Sequence, residues 1–252
     1  MARLILYNIE YLEGLKGEKA NYLKFWRRLV HPKDLINKIS QNLKKQNPDI
    51  LALVELGGNL IVKRQQILDH LKTQLKMNHQ FKRIQYQFQG IYAPLKYIPL
   101  LNQQSNAILS KKPITNYKIH NLKSGMKNII IETQIKTSKK ATLLLTHLSL
   151  SKKSREKQIN ELIDIINKIK TPIILAGDLN TFQGKKELNN LIKQTNLKIH
   201  NPKTNKKTYP SFKPKKRFDY ILTSKNIKVK NYKTLDIQLS DHLPVLIDFE
   251  IK

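Results

Sequence analysis

Apolar residues along this chain follow two rhythms. Short runs rich in Ile, Leu, Val and Tyr occur at Leu4–Ile9, Ile50–Val54, Arg83–Phe88, Ala107–Ser110, Ile114–His120, Asn128–Ile135, Thr142–Thr146, Ile173–Ala176, Tyr220–Thr223, Val229–Leu235 and Val245–Ile251. Turn residues bound most of them, and β-branched and aromatic enrichment over such short spans predicts strands. Four stretches instead show helical spacing. Lys33–Gln46 carries Leu35, Ile36, Ile39 and Leu43 at i, i+1, i+4 and i+8, and Asn47-Pro48 stops it. Leu60–Met77 sets Ile61, Ile67, Leu68, Leu71 and Leu75 on one face, and Lys153–Ile169 does the same with Ile159, Leu162, Ile163, Ile166 and Ile169. The fourth stretch is Lys185–Thr195. Helices following strands in both halves predict an α/β protein with mixed sheets.

No internal repeat and no linker rich in Gly, Ser or Pro interrupts the pattern, so residues 1–252 read as one domain. The Lys-rich piece Lys203–Lys216 holds Tyr209, Pro210 and Phe212 and reads as an ordered loop. Residues 11–32 form a long irregular insert with Tyr11, Tyr22, Phe25, Trp26, Arg27, Arg28 and His31. It reads either as a covering loop or as a substrate-contacting flap, because aromatics beside Arg suit stacking and phosphate contact.

Composition narrows the classes. With 40% apolar and 26% charged residues in 252, the chain is no disordered basic tail. The absence of cysteine excludes disulfides, zinc–thiolate sites, Fe–S clusters and thiol catalysis. No apolar stretch approaches the ~18–20 residues of a membrane span. Met1-Ala2-Arg3 leads into a short apolar run ending at Asn8 and Glu10, unlike a signal peptide. The expectation is a cytoplasmic monomer. A net charge of +29 points to nucleic acid or another polyanion. Yet 40 Lys stand against 7 Arg, with 31 Ile and 22 Asn, the trio that A/T-rich codons produce. Part of the charge therefore reads as compositional drift.

Only 18 residues are acidic, so their places are informative. Glu10 follows Leu4–Ile9, Glu55 follows Ile50–Val54, Asp178 follows Ile173–Gly177, and His147 ends Leu143–Thr146. Asp219, by contrast, precedes Tyr220-Ile221-Leu222, and Asp241-His242 precedes Leu243-Pro244-Val245. Strands running one way finish at the sheet edge where strands running the other way begin. Glu10, Glu55, Asp178, Asp219, Asp241, His147 and His242 can thus gather with Asn8 and Asn180. Each acid alone reads as a strand-terminating surface residue. Together they call for a hard divalent cation, a proton-transfer set, or both. Carboxylate and amide oxygens without cysteine favour Mg2+ or Mn2+ over zinc.

These residues stand in ordered strings. They are Tyr7-Asn8-Ile9-Glu10, Pro48–Glu55, Asn106–Ser110, Thr146-His147-Leu148, Gly177-Asp178-Leu179-Asn180, Arg217–Ile221 and Ser240–Pro244. The set resembles the endonuclease/exonuclease/phosphatase, or DNase I-like, superfamily from residue 3 to 251. Thr208–Phe212, Tyr97–Gln104 and the 11–32 insert look like its little-characterised bacterial and archaeal branch. The resemblance implies a four-layer α/β/β/α sandwich of two mixed sheets and divalent-metal-dependent hydrolysis of phosphate esters. It implies Glu55 as principal metal ligand, with Asn8, Glu10 and Asp241 in or near the shell. His242 is then the catalytic histidine, oriented by Asp219. Asp178 positions or deprotonates the attacking water, Asn180 and His147 hold the scissile phosphate, and Asn106 is a phosphate-side neighbour. Tyr7 replaces a frequent Trp, Ser105 a common Gly, Lys111 a frequent Arg, and Glu10 the Asp of the repair enzymes.

Arg155 reads either as a substrate-side cation or as a solvated helix-surface residue. His31, His70, His79, His120 and His200 lack motif context and read as ordinary surface or partly buried residues. The expected function is phosphodiester hydrolysis in nucleic acid, DNA or RNA. The alternatives are action on a small soluble phosphate ester, or a non-catalytic nucleic-acid-binding module. That last alternative predicts lost site residues, whereas Glu55, Asp178, Asn180, Asp219 and His242 are present.

Overall fold

The computed structural model describes residues 1–15, 34–58, 62–84, 104–137, 139–201 and 207–252. The strands are β1 (Ala2–Asn8), β2 (Ile50–Leu56), β3 (His79–Ile84), β4 (Ser105–Ser110), β5 (Ile114–Asn121), β6 (Ile129–Lys136), β7 (Lys140–His147), β8 (Ile173–Asp178), β9 (Lys198–Ile199), β10 (Asp219–Thr223), β11 (Ile227–Thr234) and β12 (Val245–Ile251). The α-helices are α1 (Leu35–Gln46), α2 (Arg64–Leu75), α3 (Lys152–Lys168) and α4 (Asn189–Thr195).

The strands form two six-stranded sheets, ordered β11-β12-β1-β2-β4-β3 and β5-β6-β7-β8-β10-β9. Both are mixed: β1–β2 and β7–β8 pair in parallel, and the other strand pairs are antiparallel. Central strands are buried on both faces, which is why they read as unbroken apolar runs. Alternate residues of β1 serve two cores. Leu4 and Leu6 meet Leu143, Leu145, Ile174 and Ile221 between the sheets, while Ile5 and Tyr7 meet Ile39, Leu43, Ile67 and Leu71 of α1 and α2. A third core packs Ile159, Leu162 and Ile166 of α3 and Leu191 of α4 on Leu144, Leu175 and Leu222. Three cores separate four layers, α/β/β/α.

Several boundaries differ from the sequence expectation. The third strand begins at His79, not Arg83, because the chain enters pairing with Ser110 directly after α2. Lys185–Thr195 is not one helix: a 3-10 turn, Gly184–Leu188, precedes α4. There the Glu187 carboxylate accepts the Gln183 N–H at 2.6 Å, which holds the tighter turn. The two-residue β9 gave no apolar run to see. Residues 16–33, 59–61, 85–103, 138 and 202–206 lie outside the described residues. They include most of the 11–32 insert with His31, the ends of two expected elements, most of Tyr97–Gln104, and the start of Lys203–Lys216. Among the described residues, no helix is long and apolar enough to cross a membrane.

Candidate active site at the paired sheet ends

The opposed strand directions bring the predicted residues to one end of the sandwich. His147 closes β7 opposite Asp178 of β8, and Asp178 stands opposite Asp219, the first residue of β10. Asn8 and Glu55 end the parallel pair β1–β2 in the other sheet. Asn8, Glu10, Glu55, His147, Asp178, Asn180, Asp241 and His242 line one cleft of about 350 Å3.

Backbone strain aims several of these side chains. Glu10, Tyr11 and Leu12 have φ of 46°, 50° and 63°, Glu55 has 54° and Asn180 has 48°. Each left-handed non-glycine residue costs roughly 1–2 kcal/mol, so packing must over-determine them, as it does at functional sites. The β2–β4 pairing breaks between Leu53 and Leu56, and this bulge carries Glu55 out of the ladder. Gly177 lets β7 and β8 close up, since a Cβ there would stand 2.1 Å from the Thr146 carbonyl oxygen.

His242 occupies the centre. Its Nδ1 lies 2.7 Å from Asp219 Oδ2, and its Nε2 lies 3.7 Å from Asp178 Oδ2 and 3.9 Å from Asp241 Oδ1. Tyr209 and Phe218 rings flank it. Burial pulls His242 down, but Asp219, Asp241 and Asp178 overcome it and hold the imidazolium well above the usual histidine range. Asn8 Nδ2 donates to Asp178 Oδ2 at 3.0 Å, and Asn8 Oδ1 accepts the Glu10 N–H at 3.0 Å. Asp178 is pushed up to about 6, first by burial. His147 Nε2 stands 3.5 Å from the same Asp178 oxygen, and burial with Lys127 keeps the ring neutral. Asn180 donates from Nδ2 to the Leu148 carbonyl at 2.8 Å.

The acids fit a hard cation. Burial, then Asp241, pushes Glu10 up to about 10; burial pushes Asp241 up to about 7, with Glu55, Asp178 and Asp219 adding to the rise against His242. Such crowding of carboxylates is relieved by a divalent charge. Asp219 Oδ1, His147 Nδ1 and both amide atoms of Asn106 are buried without a hydrogen-bond partner, a costly state that a ligand or cation would relieve. Asp178, Asp219 and His242 place one ligand atom each within 4.8 Å of one another. The Nδ1–Asp219 contact commits that side of the imidazole, which favours a proton-transfer role for the trio over metal ligation.

Two expectations need correction or refinement. Arg155 is neither solvated nor in the cleft: it is buried on α3, with its guanidinium on Glu187 and the carbonyls of Ser149 and Leu150. Its charge is neutralised inside the protein rather than offered to a substrate. Asn106 is fully buried on β4, beside the bulge that holds Glu55, and is not among the residues that line the cleft. Among the other histidines, His70 meets Ser40, His120 meets Glu132 and His200 meets Thr223, all away from this cleft.

The structure also adds Lys127, whose Nζ donates to Glu55 Oε1 at 2.6 Å and lies 2.9 Å from His147 Nε2. Burial raises the Glu55 carboxyl, and Lys127, foremost among its neighbours, outweighs it to hold Glu55 at about 2. Nothing local distinguishes Lys127 among 40 lysines in the sequence.

Two mixed sheets between helix layers, with acids and histidines gathered at one end, define the DNase I-like class of fold. The sequence profile described as Endonuclease/Exonuclease/phosphatase family matches residues 26–242, and the chain belongs to that family. Its members are hydrolases acting on phosphate esters. Among solved structures, a mannosyl-6-phosphatase of Bacteroides thetaiotaomicron is 15% identical with a TM-score of 0.72, covering 100% of both chains. An endonuclease/exonuclease/phosphatase family protein from Leptotrichia buccalis shows the same identity, TM-score and coverage. Beta toxin of Staphylococcus aureus is 20% identical with a TM-score of 0.67, covering 98% of this chain and 99% of the toxin. At these identities the likeness is one of fold. Comparison with curated protein sequences found no match.

Proposed function

We propose that this protein is a divalent-metal-dependent phosphodiesterase that hydrolyses phosphodiester bonds in nucleic acid. The observation that carries the reading is His242, held by Asp219 on one side and facing Asp178 across 3.7 Å on the other, beside a crowded carboxylate cluster. Asp219 fixes the ring so that Nε2 presents its proton to a phosphoryl oxygen and stabilises the charge that builds there. Asp178, near 6, takes the proton of the attacking water, and Asn8 steers its Oδ2. Asn180 and His147 form the phosphate side, with the buried, unpartnered amide of Asn106 as its neighbour beside the Glu55 bulge. Lys127 adds a positive charge beside them.

Glu55, Glu10, Asp241 and Asn8 would hold a Mg2+ or Mn2+ ion. When bound, such an ion supplies charge neutralisation at the phosphoryl oxygens. Five acids in the site sit within a chain of net charge +29, so a polyanion is drawn to the body and cut at the pit. The proposed setting is the cytoplasm, with the protein acting as a monomer. A second reading, a small phosphate ester, is favoured by the cleft volume of about 350 Å3, which suits a small molecule.

A panel of labelled DNA, labelled RNA, bis-p-nitrophenyl phosphate and phosphomonoesters, each with Mg2+ or Mn2+, tests this. The expected result is metal-stimulated cleavage of an oligonucleotide, lowered about 10²–10⁴-fold in His242→Ala and Asp178→Asn. Wild-type protein that binds DNA yet cleaves nothing in the panel would refute the enzyme reading. Cleavage confined to phosphomonoesters would move the assignment to the second reading.

A further inference from the structure

A second cavity, of about 380 Å3, opens next to the catalytic cleft and shares Phe182 with it. Its wall carries Lys185, Lys207, Lys215, Lys216 and Arg217 and, among the described residues, no acidic residue. Two chain segments join it to the site. Thr181 in its wall follows Asn180, and Arg217 stands two residues before Asp219.

Lysines alone would carry little in a chain with 40 of them. Arg217 carries more. Its Nη1 donates to Asn201 Oδ1 at 3.0 Å, and its Nη2 donates to the His200 carbonyl at 2.7 Å and to the Tyr232 hydroxyl at 2.6 Å. The guanidinium also lies 4.4 Å from the centre of the Tyr220 ring. Every one of these partners is neutral. Arg3 and Arg155, by contrast, pair with Asp248 and Glu187. Among the described residues, none of the five cavity cations pairs with a carboxylate. Like charges gathered around one cavity repel one another, most strongly where they approach closer than a Debye length of about 8 Å. Burial first, then Lys198 and Arg217, lowers His200, whose carbonyl accepts from Arg217. A rigidly held cation beside flexible ones, none of them ion-paired among the described residues, is complementary to an anion from outside.

We propose that this cavity is a second phosphate subsite, which receives a phosphodiester neighbouring the scissile one in a nucleic-acid strand. The proposal rests on the nucleic-acid reading above and specifies how the strand lies: from the catalytic cleft, past Phe182, toward Arg217. Arg217 supplies fixed charge, and Lys185, Lys215 and Lys216 supply mobile ammonium donors. A substrate with a single phosphate gains nothing from the subsite. A strand with a phosphate on that side gains binding and a defined direction.

The test combines Lys185→Ala, Lys215→Ala and Lys216→Ala, all at exposed positions. Wild type and triple variant are compared on bis-p-nitrophenyl phosphate and on labelled oligonucleotides, across salt concentrations. The expected result is a rise in oligonucleotide KM of tenfold or more and a log–log salt slope smaller by about 2–3, near one per lost phosphate contact. The kcat/KM for bis-p-nitrophenyl phosphate should stay within twofold, which also shows that the variant is folded. If wild type cuts oligonucleotides and the variant does so with unchanged KM and slope, the subsite is overturned while the nuclease reading stands. Equal losses on both substrates overturn it as well. If wild type cuts only small esters, both readings fall together.

Discussion

Replacing Arg155 by methionine separates a structural cation from a substrate-binding one. The Arg155 guanidinium donates from Nε and Nη2 to Glu187 Oε2 at 2.8 and 2.6 Å, and from Nη1 to the Ser149 and Leu150 carbonyls, each at 2.9 Å. The two side chains are 1% and 7% exposed. Methionine keeps much of the stem volume but strands the Glu187 carboxylate and two carbonyl oxygens. Breaking a buried pair from one side costs about 3–5 kcal/mol. Glu187 retains its 2.6 Å hydrogen bond from the Gln183 N–H, so the low end is expected. For a chain of this size each kcal/mol lowers Tm by about 2–4 °C, so the melting temperature should fall by about 6–12 °C. Urea denaturation and thermal melts followed by circular dichroism measure the loss. The double variant with Glu187→Gln should lose less than the two single losses added. Well below the melting temperature, KM for a small phosphodiester should stay within twofold of wild type. A variant as stable as wild type with a tenfold higher KM would show that Arg155 touches substrate and that the structural argument is wrong.

Other outcomes follow from the site. In metal-free protein, burial first and neighbouring acids next raise Glu10, Asp241 and Asp178 from 4.5, 3.8 and 3.8 to about 10, 7 and 6. For these three acids the folded state holds protons that the unfolded chain releases, so their contribution to stability is full below about pH 4 and is lost as pH rises through the folded values. Melting in EDTA should therefore be lower at pH 8 than at pH 5.5, with Mn2+ or Mg2+ restoring more at pH 8; a higher melting temperature at pH 8 in EDTA would contradict the crowded-acid picture. Asp219→Asn removes the foremost charge that holds His242 protonated, so the basic limb of its pH–rate profile should move to lower pH; superimposable limbs would mean Asp219 does not set the imidazolium. Gly177→Ala forces a Cβ to 2.1 Å from the Thr146 oxygen, so strand separation should cost at least the ~1–3 kcal/mol of ordinary overpacking and lower kcat through a displaced Asp178; unchanged stability and kcat would refute the close approach.

Much of the site was legible because strand direction and residue type cooperate. Glu55 and Asp178 end parallel-paired strands, Asp219 starts an antiparallel one, and the mixed topology places all three at one end. Lys127 was invisible because its role depends on a turn before β6 that carries it to Glu55, 72 positions earlier in the chain. The place of Arg155 is not legible, because helix periodicity does not tell a solvated cation from one buried against a distant carboxylate; the 3-10 turn that delivers Glu187 is set by tertiary contact.

Apolar periodicity alone determined the strands and helices, since burial on one face or both imposes its own spacing on the chain. Acid placement alone determined which residues compete for one charge, because a core expels carboxylates that nothing pairs. Tertiary structure decided the rest. Left-handed backbone at Glu10, Glu55 and Asn180, the 2.7 Å contact between His242 and Asp219, and the unpaired Arg217 cavity arise between residues far apart in sequence. Their physical cause is packing and long-range electrostatics, neither of which leaves a local mark on the chain.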